Sequence, residues 1–257
     1  MHPSSIDEGE ASHEGEPSLA PTGVLRISGL EAAPGLVHGF STTAFGSMQR
    51  PSDEPFSLTP SRGAFACVLG LDPVRLTVAG AVHGAEVARV DAEGFTVPGV
   101  DALVTDRPGL PLLVTCADCY AIIVFDRVHA ALALVHAGWR GTAAGIAAEA
   151  VRSLSAEYGS RAEDLVAGLG PGICAACYEV SGEVAVRFDP RFRRPSGVRS
   201  GRFQLDLAAA NRAQLEGAGI PWSSIHEHGG CTKVTPELPS HRRSPDGSRF
   251  ACIAAIA

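Results

Sequence analysis

No stretch of this 257-residue chain approaches the ~20 consecutive apolar residues of a membrane-spanning helix. No run of Lys or Arg marks a nucleic-acid-binding face; the Arg202–Arg212 and Arg242–Arg249 regions are mixed and read as solvated or site-local. No internal repeat is visible. The N-terminal stretch is acidic and rich in Ser, Pro and Gly, where a secretory signal needs positive charge and an apolar core. A cytoplasmic location is therefore expected. Seven cysteines is an odd count, and without a secretory context disulfides are not expected.

What is present fits a globular protein. The apolar fraction of 45% is ample for a core, and the length suits one large domain or two small ones. Asp7, Glu8, Glu10, Glu14 and Glu16 lie in the first stretch, and discounting these five moves the net charge from −7 to −2. Residues 1–22 read as a disordered acidic tail whose His2 and His13 are bystanders. Residues 23–257 read as the folded part.

Periodicity predicts alternating elements. Strands are expected over Val24–Ile27, Leu36–Ser41, Ala102–Thr105, Leu112–Val114, Tyr120–Phe125, Ala130–Val135, Leu165–Leu169 and Arg249–Ile256. Leu76–Val82 and Glu86–Val90 are expected to pair around His83-Gly84. Helices are expected over Arg62–Leu69, Ala143–Tyr158, Gly182–Phe188 with Ser181 as cap, and Asp206–Glu216. Ala44–Pro60 is an irregular loop expected to serve as a lid. Strands in runs with helices between them predict an α+β fold of mixed β-sheets flanked by helices.

Three short segments carry chemistry. Val135-His136-Ala137-Gly138-Trp139-Arg140-Gly141-Thr142 runs from an apolar strand through a glycine-flanked turn into an Ala-rich helical pattern. Strand ends facing a helix start are where α/β proteins place their sites. Ala81-Val82-His83-Gly84 and Thr115-Cys116-Ala117-Asp118-Cys119 lie at similar edges. Two histidines and one cysteine can make an open three-ligand metal site. Each also has an ordinary reading: His83 as a turn histidine in water, Cys119 as a buried cysteine, His136 as a histidine bonded to a carbonyl. The spacings form no local zinc motif. Asp118 either orients a ligand histidine or caps a turn.

Two cysteine pairs have CxxC spacing, Cys116/Cys119 and Cys174/Cys177. Their separation far exceeds the ~15–20 residues usual between the halves of a four-cysteine zinc site. They lie on strand-like segments without a glycine-rich knuckle, so that site is disfavoured. A thioredoxin-type pair is disfavoured further, because no helix follows Cys116 directly. Cys67, Cys174 and Cys252 read as small buried apolar side chains.

The segments AVHG at 81–84, CADC at 116–119 and HAGWRGT at 136–142 resemble, in order, the patterns Q-V-H-G, T-A-D-C and H-A-G-W-R-G of the YfiH family. These proteins are also known as laccase-domain proteins or multicopper polyphenol oxidases. GLGPGICAACYEV at 168–180 and the C-terminal CTKVTPELPSHRRSPDGSRF extend the resemblance from about Val24 to the end. The chain departs from the family pattern at Thr43 (usually arginine), Ser57 (asparagine), Ala81 (glutamine), Ala121 (proline), Ala176 (cysteine) and His241 (tyrosine).

The resemblance implies a single YfiH-like domain of sheets flanked by helices. It also implies that His83, Cys119 and His136 are the catalytic, metal-binding residues, with Zn2+ as cofactor. Relatives are described as phosphorolysing adenosine, inosine and methylthioadenosine and deaminating adenosine, so the expected partners are a purine nucleoside and phosphate. Arg62 and Arg242 match family arginines, as does Arg243, and Arg140 lies at a helix start where N–H groups attract anions. Each of these arginines has an ion pair or surface charge as its alternative. The expected state is monomer or homodimer, with no nucleic-acid or membrane partner. Other readings are a peptidoglycan-precursor editing hydrolase, a hydrolase using Cys119 as nucleophile, and a divergent member that binds without turnover.

Ligand supply argues against the oxidase label. The resemblance to laccases implies about ten histidines for four coppers, largely in His-x-His pairs. Here there are nine, two of them in the tail, with one His-x-His at His226 and His228. Phenol oxidation is therefore expected to be weak and to need added Cu2+, which exceeds Zn2+ in affinity for N and S ligands. Freshly purified protein should lack an intense blue band; about four coppers per chain by elemental analysis would restore the laccase reading.

Overall fold

The computed structural model describes residues 23–49 and 58–257. The tail at 1–22, the centre of the expected lid and Ser57 lie outside them. The strands are β1 (Val24–Leu25), β2 (Leu36–Ser41), β3 (Thr77–Gly80), β4 (Val87–Arg89), β5 (Thr96–Pro98), β6 (Ala102–Thr105), β7 (Leu112–Cys116), β8 (Tyr120–Asp126), β9 (Ala131–Ala137), β10 (Leu165–Leu169), β11 (Glu179–Ser181), β12 (Arg193–Pro195), β13 (Arg202–Leu205), β14 (Ile225–Glu227) and β15 (Phe250–Ile256). The helices are α1 (Ser28–Glu31), α2 (Pro60–Val68), α3 (Trp139–Ala143), α4 (Ile146–Tyr158), α5 (Gly182–Ala185) and α6 (Leu207–Gly217).

Strands that are apolar on both faces need cover on both faces, and the layering provides it. One sheet has the order β1-β2-β15-β7-β3-β5, the second β14-β10-β8-β9-β6-β4, and a small third β11-β13-β12. Ala121, Ile123 and Phe125 of β8 pack towards Leu112, Val114 and Cys252 of the first sheet. The alternate residues Ile122 and Val124 pack under Ile146, Ala150 and Leu154 of α4 and Leu207 and Leu215 of α6. On the far side of the first sheet, Phe65 and Ala66 of α2 cover Val78, Leu113, Ala251 and Ile253. The period-2 alternation of each strand thus divides its side chains between two cores. Most pairings are antiparallel; β3 with β5 and β7, β4 with β6, and β10 with β14 are parallel. The fold is the expected α+β type with mixed sheets flanked by helices.

Several expectations need correction. The segments around His83-Gly84 do not pair with each other: β3 belongs to the first sheet and β4 to the second. The chain crosses between them at residues 81–86, where the Asp101 carboxylate accepts the backbone N–H groups of Val82, His83 and Gly84. Helix begins earlier than Ala143, at Trp139, and breaks at Gly145, whose φ of 90° ends one helix before the next starts. Ser181 makes no cap bond, since it is the last residue of β11 and pairs with Arg202. Asp206 does cap α6, accepting from Ala209 N–H at 2.9 Å. Cys67 is exposed on α2, and Cys174 is half-buried in a turn, while Cys252 is buried as expected.

His38, on β2, is 1% exposed and its Nε2 accepts the N–H of Ile27 at 3.0 Å. Burial, and then the nearby Arg26 charge, lowers its pKa to about 4. Between that value and the ordinary 6.5, an unfolded chain binds a proton that the folded chain refuses. Stability should therefore fall as pH drops through this window, by up to ~1.4 kcal/mol per pH unit from this residue. His38→Gln, which keeps an acceptor for Ile27, should flatten that part of a denaturation-against-pH curve. The slope left over belongs to other groups, such as half-buried His228, whose pKa is also lowered by desolvation.

Candidate metal centre

The site begins at the junction between the two large sheets. β9 delivers His136 in its last turn of pairing, opposite Ala121 of β8. The tight connection from β7 to β8 delivers Cys119, and the crossing from β3 to β4 delivers His83. Ligand atoms of His83, Cys119 and His136 all lie within 4.8 Å of one another. The two imidazole rings meet edge to face, with centroids 4.9 Å apart. His83 is the exposed member and His136 the buried one.

Backbone strain accompanies this convergence. His83 has φ of 64° and Asp118 has φ of 83°, left-handed values that non-glycine residues adopt at a cost. Asp101 compensates the first. It is fully buried at the start of β6, and its Oδ1 accepts the His83 N–H at 2.9 Å and contacts His136 Nδ1 at 2.8 Å. Its Oδ2 accepts the N–H groups of Val82 at 3.1 Å and Gly84 at 2.7 Å. One carboxylate therefore fixes the backbone of one histidine and the ring of the other. It occupies His136 Nδ1 and leaves Nε2 for the cleft. Sequence reasoning missed Asp101.

Asp118 does not orient a histidine. Its Oδ1 accepts from Thr232 Oγ1 at 2.7 Å and Ser240 Oγ at 2.6 Å, and its Oδ2 accepts Arg242 N–H at 2.7 Å. It serves as an anchor for the segment that carries Arg242 to the cleft, a third role beside the two expected for it.

Two glycines of the HAGWRG motif are explained by close approach. A Cβ on Gly138 would stand 2.9 Å from His83 Cδ2 and 3.0 Å from Cys119 Sγ. A Cβ on Gly141 would stand 2.5 Å from the Gly84 carbonyl oxygen. Any side chain at Gly138 would intrude between the three candidate residues.

The electrostatics are those of a polarised pair. Burial raises the Cys119 thiol, but the positive His136 ring and hydrogen bonds from His136 and His83 outweigh it and bring the thiol down to about 6. Burial lowers His136, but the Cys119 thiolate and Asp101 carboxylate outweigh it and lift the ring to about 9. The thiol is thus disposed to lose its proton, and two imidazoles with a thiolate form a borderline-soft donor set.

A cleft of about 530 Å³ opens above these residues. Its rim includes Trp139, Arg140, Tyr178, His241, Arg242 and Arg249. The Arg140 guanidinium lies 4.3 Å from the Trp139 ring centroid, and that of Arg242 lies 4.9 Å from Tyr178. Arg140 and Arg242 thus line the cleft with the three candidate ligands, as does Arg249, which the sequence marks only as the end of a solvated or site-local stretch. Arg62 does not line it. It is buried in α2, where its Nε donates to the Met48 carbonyl at 2.9 Å. Arg243 turns away to bond the carbonyls of Thr232 and Thr235. Cys116 is buried in β7, and Cys174 and Cys177 group with Cys231, not with Cys119.

Comparison with known proteins agrees with this architecture. The family model described as multi-copper polyphenol oxidoreductase laccase matches residues 37–256. A Deinococcus radiodurans protein named purine nucleoside phosphorylase is 38% identical over 221 residues, 80% of this chain and 83% of its own. A protein from an unknown prokaryotic organism, named adenosine deaminase RL5, is 33% identical over 198 residues, 70% of this chain and 74% of its own. The crystal structure of YlmD from Geobacillus stearothermophilus superposes with a TM-score of 0.82 at 29% identity, covering 93% of this chain and 98% of that one. That of the Bacillus licheniformis hypothetical protein YfiH gives 0.82 at 26% identity over the same shares. With its sheets, its cleft and these relatives, the chain belongs to the YfiH family of laccase-domain proteins.

Proposed function

We propose that this chain is a zinc-dependent purine nucleoside phosphorylase acting on adenosine, inosine or methylthioadenosine, with adenosine deamination as a second activity of the same cleft. The observation that carries the reading is the convergence of His83, Cys119 and His136 beneath a rim of two aromatic rings and three arginines. The relatives' names, a phosphorylase and a deaminase, support it.

The donor set fits zinc. Bonds of ~2.0–2.3 Å to two nitrogens and one sulfur require donors a few ångströms apart, and the fourth position stays open. The space that a Cβ on Gly138 would fill is kept clear beside His83 and Cys119. When bound, zinc supplies Lewis acidity, because one thiolate offsets only half of its charge.

The remaining work falls to the chain's own residues. Asp101 holds His136 in the tautomer with Nε2 towards the cleft. Arg140, Arg242 and Arg249 give the rim a positive charge suited to phosphate, and Asp118, the one carboxylate lining the cleft among the described residues, is already engaged by three donors. Trp139 and Tyr178 offer apolar faces to a purine. In phosphorolysis a phosphate oxygen bonds to C1′ of the ribose as the C1′–N9 bond breaks, and the electron pair leaves with the base. A second reading, Cys119 as nucleophile, draws on the same thiolate–imidazolium pair.

Adenosine or inosine with phosphate should yield free base and ribose-1-phosphate, measured by chromatography. Cys119→Ala should abolish the reaction, and chelation should do the same until zinc is restored. Activity that survives chelation but not Cys119→Ala would favour the nucleophile; serine release from a muramyl precursor without nucleoside turnover would favour the editing reading.

Asp101→Asn replaces Oδ2 or Oδ1 with an NH2 group facing existing donors. Loss of this support should weaken zinc affinity ~10–100-fold in a competition titration. It should also lower stability by ~1–3 kcal/mol through unpaired buried N–H groups. Unchanged zinc affinity would remove Asp101 from the site.

A further inference from the structure

A second group of soft donors lies outside the cleft. The sulfurs of Cys174, Cys177 and Cys231 lie within 4.8 Å of one another. The backbone builds this group from two separate segments. Residues 174–178 form a tight turn in which the N–H groups of Cys177 and Tyr178 both bond the Cys174 carbonyl at 3.0 Å. That turn brings both sulfurs of the CxxC pair to one side. Cys231 arrives from more than fifty residues later through a parallel bridge to Gly172, locked by Thr232 N–H on the Gly172 carbonyl at 3.0 Å. The Cys174 N–H points at Cys231 Sγ, 3.4 Å away.

All three thiols are free, as are the other four, so two other features set this group apart from the core cysteines. Cys174 lines a cavity of about 180 Å³ with Tyr120, Asp206 and Glu227, and this cavity shares no lining residue with the main cleft. The three sulfurs also lie at a spacing that suits a shared ion, since Zn–S bonds of ~2.3 Å in a tetrahedral arrangement place sulfurs ~3.8 Å apart. No fourth His, Cys, Asp or Glu joins the group among the described residues. A three-sulfur set selects thiophilic d10 cations over hard ones.

We propose that Cys174, Cys177 and Cys231 form a second metal site, for a single thiophilic d10 cation, Zn2+ or Cu+, that clamps the 231–243 segment to the 172–178 turn. Binding forms three sulfur–metal bonds and releases each remaining S–H proton to solvent, with no change of oxidation state. The two segments so joined carry Arg242 and Tyr178, which stack on each other at the cleft rim. The clamp is a structural one: it fixes the rim without touching the cleft floor.

The test uses the full chain, kept reduced and purified without chelator. Replacing His83, Cys119 and His136 together with Ala removes the first site, so the outcome does not depend on the proposed reaction. This variant should still bind one Zn2+ or one Cu+ per chain by elemental analysis after dialysis. Adding Cys174→Ser, Cys177→Ser and Cys231→Ser should reduce that to none. Separate titrations with Zn2+ and Cu+, followed by competition, identify the preferred ion, and tight binding of either supports the site. Should the triple-alanine variant fail to fold, Co2+ titration of the unsubstituted chain decides. Two cobalt ions per chain, one of them lost in Cys231→Ser with its thiolate charge-transfer absorption, support the proposal. One cobalt ion per chain, unaffected by Cys231→Ser, overturns it. So does a triple-alanine variant that is folded and holds no Zn2+ or Cu+, or a thiol count showing two of the three cysteines joined as a disulfide in the reduced preparation.

Discussion

The carboxylate of Asp101 is the constraint on which the site depends. A fully buried charge is expensive unless it is saturated with donors. Here the donors are three consecutive backbone N–H groups and an imidazole nitrogen. They hold the β3–β4 crossing in a left-handed conformation that His83 would not adopt alone, and they fix which nitrogen of His136 faces the cleft. Remove that carboxylate and the two histidines lose their common reference point. The same bonds lie on the crossing between β3 of the first sheet and β4 of the second, so one side chain serves both the connection and the site.

Asp118 plays the complementary part on the other side of the cleft. Its own left-handed turn places Cys119, and its two oxygens hold Thr232, Ser240 and the Arg242 backbone. The two aspartates divide the labour. One organises the floor and the other ties the backbone of the rim to it through short, charge-assisted hydrogen bonds.

Much of this was legible in the chain. The strands Leu36–Ser41, Ala102–Thr105 and Leu165–Leu169 are bounded by turn residues and stand residue for residue as expected. The His83, Cys119 and His136 segments were marked by their place at strand edges, and their coming together agrees with the resemblance to the YfiH family. What was hidden depended on contacts distant in sequence. Asp101 precedes an apolar run and looks like an ordinary strand start; only the fold reveals what its carboxylate meets. Arg62 carries a family match, yet its helix faces the far side of the first sheet. Cys67 looks like a core residue until α2 turns it outward. The strands β5, β11, β12 and β14 are too short to show a period, and the pairing of β3 with β7, not β4, is a tertiary choice that local alternation cannot express.

The position of β15 has a consequence for how the chain acquires its shape. The last strand in chain order lies in the interior of the first sheet, hydrogen-bonded to β2 on one side and β7 on the other. Without it, β2 would keep only β1 and β7 only β3, and each would present one open, apolar edge across a gap one strand wide. The second sheet has no such dependence, since β8 and β9 form a hairpin and β10 joins soon after. The contacts of the β8–β9–β10 unit are therefore mostly local, whereas those of β15 with β2 and β7 join residues far apart in sequence and carry the larger loop-closure cost.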